Sequence, residues 1–228
     1  MIEYKNVSKK YPGGKNALEK ISFEIQNGEF VYLIGPSGAG KTTILKLLFG
    51  DTKPSGGKVL YGGHPVHKFS GKNIAILRRK IRMVFQDFKV LTDRTVLENV
   101  LISLYIVGRS DREATAEAMK ALKLVGLPDK AQFFPVQLSA GELQRVAIAR
   151  ALAGGSEVIL ADEPTGNLDP KTGEEIMDLL EEINKEGTTI IVTTHNAALV
   201  DRAKKRVIQM KDGQVVRDDK EGKYDPTS

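Results

Sequence analysis

The run Gly35-Pro36-Ser37-Gly38-Ala39-Gly40-Lys41-Thr42 fits the phosphate-cradling pattern G-x-x-x-x-G-K-[ST]. Glycines spaced in this way let successive backbone N–H groups turn inward as an anion nest, and a helix starting just after them adds the positive end of its dipole. The chemistry expected is nucleoside triphosphate binding. Residues Gly35 to Gly40 supply amides, Lys41 meets the β- and γ-phosphates, the Thr42 hydroxyl ligates Mg²⁺, and Thr43 reaches the α-phosphate. A second cluster, Asp162-Glu163, ends the apolar run Val158-Ile159-Leu160-Ala161. Two acids at a strand end are by themselves most often a solvated turn. Beside a phosphate loop they acquire roles: Asp162 holds Mg²⁺, largely through water, and Glu163 polarises the water that attacks the γ-phosphate. A third stretch, Leu138-Ser139-Ala140-Gly141-Glu142-Leu143-Gln144-Arg145, offers a hydroxyl and free amides at a helix start to an anion. In isolation it reads sooner as an ordinary N-cap with a carboxylate in the first turn.

These groups need a scaffold that brings strand ends and helix starts together. Ile2, Tyr4, Val7 and then Ile21, Phe23, Ile25 alternate at period two, which predicts an antiparallel opening sheet. Phe30 to Ile34 is continuously apolar, as a strand buried on both faces must be, and runs into the glycine turn; a helix over about Lys41–Phe49 follows, stopped by Gly50. Val158–Ala161 and Thr189–Thr193 repeat the buried-strand pattern, with helices around Glu142–Leu152 and Thr172–Asn184. Strands alternating with helices predict a parallel α/β sheet, here a P-loop NTPase core. Residues from about 94 to 125 carry only helical periodicity (Val96, Val100, Leu104; Ala118, Ala121, Leu122, Val125) and are expected to form a helical lobe inserted into that core. The polar end of the chain, from about residue 217 to 228, is expected to be a loosely held tail.

Length and composition bound the partners. At 228 residues, 41% hydrophobic and 28% charged, the chain suits one soluble-type domain rather than two. The longest apolar stretch, Val96–Val107, is interrupted by Glu98 and Asn99 and falls short of the roughly 18 to 20 residues of a membrane span. No basic and then apolar leader opens the sequence, which predicts a cytoplasmic protein. The absence of cysteine excludes disulfides, thiolate metal sites and thiol nucleophiles. The net charge of +5 gathers partly in Arg78-Arg79-Lys80 with Arg82 and in Lys204-Lys205-Arg206. Few aromatics interleave with them to stack bases, so these are read as solvated faces and no nucleic-acid partner is expected.

In order and content, the phosphate loop, the Leu138–Glu142 stretch and Asp162-Glu163 resemble the ABC (ATP-binding cassette) ATPase family, whose signature is Leu-Ser-Gly-Gly-Gln, over almost the whole chain. The resemblance implies an ABC ATPase fold, a single domain over residues 1–228 with a helical lobe at about 94–155 that includes the signature helix. It also assigns roles. Tyr11 stacks on adenine; Gln86, after Met83-Val84-Phe85, senses Mg²⁺ and the γ-phosphate; Asp169, in Gly166-Asn167-Leu168-Asp169, contacts the opposing subunit; His195 is the switch histidine at the γ-phosphate. Ser139 and Gly141 serve the ATP of a partner chain, so ATP binding implies a homodimer. Ala140 departs from the usual glycine, adding a methyl near the partner's phosphate, and Glu142 replaces the usual glutamine.

Val84-Phe-Gln-Asp-Phe-Lys-Val-Leu-Thr-Asp-Arg-Thr-Val96, Glu98-Asn99-Val100, Asp162-Glu-Pro-Thr-Gly-Asn-Leu-Asp-Pro170 and the ending Gly213–Asp218 with Gly222-Lys-Tyr224 are similar to the cell-division, FtsE-type branch of that family. That similarity implies an FtsX-like integral membrane subunit as partner, peripheral attachment to the cytoplasmic face of the bacterial cell membrane, and ATP turnover that activates cell-wall hydrolases. The Pro-Thr-Gly-Asn-Leu-Asp run is shared with lipoprotein-releasing and macrolide-export ATPases, which keeps an exporter subunit open as the alternative. A soluble cassette of DNA repair or translation is a third reading; those typically carry two cassettes or long insertions, and this chain has neither.

Overall fold

The computed structural model describes residues 1–14 and 16–223. The alternating N-terminal runs form β1 (Ile2–Lys10) and β2 (Asn16–Ile25), antiparallel, with Ile2 opposite Ile25 and Tyr4 opposite Phe23. β3 (Phe30–Ile34) is buried at every position and leads through the glycine turn into α1 (Lys41–Leu48), beyond which Gly50 adopts φ 69°. β4 (Gly56–Tyr61) and the short β5 (His64–Pro65) complete a four-stranded antiparallel sheet, β2-β1-β4-β5. α2 (Lys72–Lys80) runs directly into β6 (Ile81–Phe85). Three helices follow: α3 (Val96–Ile106), α4 (Asp111–Leu124) and α5 (Ala140–Leu152). The chain then returns to the core as β7 (Val158–Asp162), α6 (Pro170–Lys185), β8 (Thr189–Thr193), α7 (Ala197–Ala203), β9 (Arg206–Lys211) and β10 (Gln214–Asp219).

The second sheet runs β10-β9-β3-β8-β7-β6 and is parallel except for β10. Because the central strands β3, β8 and β7 are buried on both faces, the sheet separates two apolar clusters. On one face Val31, Leu33, Leu160, Ile191 and Ile208 pack with α1 and the small sheet, to which the Tyr4 hydroxyl ties α1 by donating to Ile44 O at 2.9 Å. On the other, Tyr32, Ile34, Ile159, Ile190 and Val192 share one cluster with Val100, Leu104, Ala118 and Leu122 of the helical segment. That helical segment is therefore continuous with the sheet's own core and has no separate one.

The tail expected from about residue 217 starts later than its polarity suggests. β10 continues through Asp219, pairing Asp218 with Ile208 and Asp219 with Val207. Arg206 holds Asp218 with a two-pronged fork, Nε to Oδ1 at 2.7 Å and Nη2 to Oδ2 at 2.8 Å, a geometry that side-chain polarity alone does not reveal. Residues 224–228, Tyr224 among them, lie outside the described residues.

Candidate functional site

Parallel register builds the site. Phe85 is paired with Asp162 and Asp162 with Thr193, while Leu33 is paired with Thr193 from the other side. The next residues along each strand, Gln86, Glu163, Thr194 and Ile34 leading to Gly35, therefore emerge in a row at the carboxyl edge of the sheet, where ligands of open α/β folds bind. Gly35, Gly38 and Gly40 take φ of 138°, 80° and 108°, conformations that side chains resist. Space forbids a side chain as well: a Cβ on Gly35 would lie 2.1 Å from Met210 O, and one on Gly40 2.6 Å from Ala17 O. The Gly40 cap gives α1 no side-chain acceptor, so the helix's opening N–H groups remain free for an anion. By contrast α3 and α5 each satisfy one first-turn N–H through a capping box, Glu98 N on Thr95 and Glu142 N on Ser139.

A cleft of about 700 Å³ opens over this nest, lined by Tyr11, Ser37, Gly38, Gly40, Lys41, Thr42, Thr43, Gln86, Glu163 and His195. Lys41 is 8% exposed and its ammonium donates to Gly35 O at 2.7 Å and Pro36 O at 3.2 Å, with Glu163 Oε1 at 4.0 Å. Burial pushes its pKa below the usual lysine range, against the raising influence of Glu163 and Asp162. The Thr42 hydroxyl donates to Asp162 Oδ1 at 3.2 Å, and His195 Nδ1 meets Glu163 Oε2 at 3.0 Å. Glu163 itself stands at φ 49°, a strained backbone for a non-glycine residue and one that recurs at functional sites. Tyr11 follows the end of β1 with the Lys9 ammonium 4.8 Å from its ring centroid. Gly35, Pro36 and Ala39 complete the loop without lining the cleft; Ala39 is buried beneath it, its N–H donating to Pro36 O at 3.2 Å.

Three of the sequence-derived site residues lie elsewhere. Ser139, Gly141 and Asp169 are not among the residues lining the cleft. Ser139 is exposed at the N-cap of α5. Asp169 caps α6 by accepting from Thr172 N at 3.1 Å, and its carboxyl is held below the usual range first by the Thr172 side chain and then by this amide. Gly141 is buried against the same turn, where a Cβ would come within 2.4 Å of Thr172 Cγ2. All three thus have local structural work within their own chain.

The structure adds residues the sequence did not suggest. The Thr193 hydroxyl donates to Asp162 Oδ1 at 2.7 Å and accepts from Glu163 N at 2.9 Å, so one buried side chain fixes both acids. The end position of an apolar strand in register with Asp162 is its only sequence signal. Asn167 clamps Gln86, donating to its carbonyl at 2.9 Å and accepting from its Nε2 at 3.2 Å. Arg150, from α5, donates to Lys89 O at 2.6 Å and Phe88 O at 3.0 Å, bracing a loop in which Phe88 and Lys89 have φ of 60° and 48°.

A family model described as ABC transporter matches residues 18–166. The chain is 49% identical over 224 residues, 98% of each chain, to the cell division ATP-binding protein FtsE of Bacillus subtilis. It is 46% identical over 215 residues to the protein of that name in Escherichia coli K12, covering 94% of this chain and 97% of that one. Among solved structures it is similar to a dimeric ATP-binding cassette in a post-hydrolysis state bound to ADP and Pi, with TM-score 0.87, 39% identity, and coverage of 98% and 100%.

Proposed function

The chain belongs to the ABC transporter family of ATP-binding cassettes, and from that membership we propose that it is the ATP-hydrolysing subunit of a cell-division complex whose turnover reshapes an FtsX-like membrane partner and so activates cell-wall hydrolases. The chain is an ATPase. The observation that carries the cell-division reading is the near-full-length identity to FtsE proteins of several bacteria.

In the mechanism we assign, the nest and Lys41 hold the phosphates, and Tyr11 covers the base. Water adds to the γ-phosphorus as the bond to the β–γ bridging oxygen breaks; Glu163 orients that water and takes up its proton, and ADP and phosphate leave. His195, now on Glu163, is placed to exchange that contact for the γ-phosphate. The oxygens of Thr42 and Asp162, with Gln86 beside them, form a hard donor set that fits Mg²⁺. Among the described residues no cluster of three or more His, Asp or Glu could cage a metal alone. Thr42 and Asp162, with Gln86 beside them, would hold Mg²⁺, which when bound would neutralise charge at the β- and γ-phosphates. Ser139 and Gly141, outside the cleft of their own chain, complete the site of a second copy in an ATP-bound homodimer.

Among the described residues no helix is long and apolar enough to cross a membrane, so attachment to the cytoplasmic face of the cell membrane is assigned to the partner. Its seat is the junction between α2–β6 and α3. A cleft of about 430 Å³ there is lined by Ile74, Phe85, Ile102, Ile106 and four arginines, Arg78, Arg79, Arg82 and Arg150. Arg82 buries Nε and Nη2 without a hydrogen-bond partner, and Leu91 stands 40% exposed nearby in sequence. A partner segment that is apolar and carries a carboxylate satisfies both features. Purification of the tagged chain from its native host should bring down one integral membrane protein with a large extracytoplasmic domain that binds a cell-wall hydrolase. Substitution of Phe88, Leu91 or Arg82 should weaken that capture while sparing ATP binding. Capture of a solute or lipoprotein exporter instead would replace the cell-division reading with the transport one.

A further inference from the structure

Glu142 stands in the first turn of the signature helix, where an acid is in principle the wrong charge for a surface that must receive a triphosphate. A helix start carries roughly half a positive charge, which one carboxylate overturns. The structure shows what offsets it. Lys130, from the turn Pro128–Lys130 between α4 and α5, makes a short contact from Nζ to Glu142 Oε1. The other carboxylate oxygen, Oε2, accepts from Ser139 N at 2.9 Å and from the Ser139 hydroxyl at 3.0 Å. Lys130 is braced over the Phe133 ring at 5.8 Å, and it is the largest cause, and the sole cation among the causes, of a Glu142 pKa held below the usual glutamate range. Ser139 and Ala140 beside this pair are exposed.

We propose that Lys130 is a positioning residue for the ATP-closed dimer: by neutralising Glu142 it keeps the start of the signature helix positive, so that Ser139 can receive the γ-phosphate held by a second chain. The inference rests on the reading that Ser139 completes the partner's site. With both residues present the helix start keeps its half positive charge; without Lys130 it becomes half negative; without both charges it returns to the parent value. Two such sites close in each dimer, so loss of Lys130 should weaken ATP-dependent dimerisation about tenfold, roughly threefold per site.

The test is a double-mutant cycle on the Glu163→Gln chain with Mg²⁺-ATP, reading the dimer dissociation constant by a light-scattering dilution series. Lys130→Met should weaken the dimer about tenfold, and less so at high salt, while Lys130→Arg stays within about twofold of the parent. Glu142→Gln should be as tight as the parent or tighter, and Lys130→Met with Glu142→Gln should return to the parent value. ATP affinity of the monomer and thermal melting, measured on each variant, separate these effects from misfolding. An unchanged constant for Lys130→Met overturns the proposal. So does a double variant as weak as Lys130→Met, which would mean that the lysine acts through lobe packing. If the parent itself, with or without Ala140→Gly, forms no ATP-dependent dimer, the shared-site reading fails first and this inference goes with it.

Discussion

Thr193→Val removes one hydroxyl from the centre of the site and changes nothing else in shape. Thr193 is fully buried, and its Oγ1 gives a 2.7 Å hydrogen bond to Asp162 and receives a 2.9 Å one from Glu163 N. A hydrogen bond to a charged group contributes about 1.5–3 kcal/mol. The Glu163 amide keeps a longer alternative acceptor, Thr193 O at 3.2 Å, so its loss adds little. Valine should therefore cost about 2 kcal/mol of stability, or about 4–8 °C in melting temperature for a chain of this size. The larger effect is on turnover. Glu163 sits at φ 49° with its amide on this hydroxyl, and loss of the hydroxyl should let the carboxylate shift from the position proposed for orienting water. A displacement of about 1 Å in a reacting group costs up to about a hundredfold. The expected outcome is kcat lowered about 10- to 100-fold, ATP affinity within about threefold, and recovery of most activity in Thr193→Ser. The assays are phosphate release, nucleotide titration and thermal melting. A Thr193→Val chain with parent kcat would refute the claim that this hydroxyl aligns the two acids.

Lys41→Ala should abolish most nucleotide binding without unfolding the chain, since the ammonium is buried at a cost and serves phosphate rather than the core; circular dichroism and ATP titration check both halves. The lowered Lys41 pKa also sets a pH dependence. The neutral amine gains population as pH rises through that lowered value, so ATP affinity should fall in the alkaline range earlier than an ordinary lysine would allow, and titration of ATP binding against pH reads it. Gly40→Ala should be harsher than either, because φ 108° and a Cβ 2.6 Å from Ala17 O add strain to a backbone clash. We expect about 2–6 kcal/mol of destabilisation by denaturant titration, from strain of about 1–3 kcal/mol and overpacking of similar size.

The parts legible in the sequence were those written in local pattern. Uninterrupted apolar runs gave β3, β7 and β8 because a strand covered on both faces leaves no polar position, and the glycine spacing gave the phosphate loop because few other sequences tolerate those backbone angles. What escaped depends on distance in space. Thr193 looks like one more strand residue until register sets it beside Asp162, and Asn167 has no local mark of its hold on Gln86. β6 lies partly hidden because Arg82 interrupts its apolar run, and the same arginine proves to be a buried group without a partner. Residues 217–219 are strand rather than tail for the same reason: Asp218 reads as polar and loose until Arg206 is seen across the hairpin.

The central claim is that ATP is hydrolysed at a site made by two chains, with Glu163 acting on the water. Glu163→Gln keeps the side chain's size and removes its carboxylate, so ATP should bind and hydrolysis should fall by orders of magnitude, with the closed dimer accumulating. The decisive measurement is the solution mass of Glu163→Gln by light scattering with Mg²⁺-ATP and with Mg²⁺-ADP. Twice the chain mass is expected with ATP and a single chain with ADP. A single chain in both nucleotides, unchanged by Ala140→Gly or by the membrane partner, would contradict it.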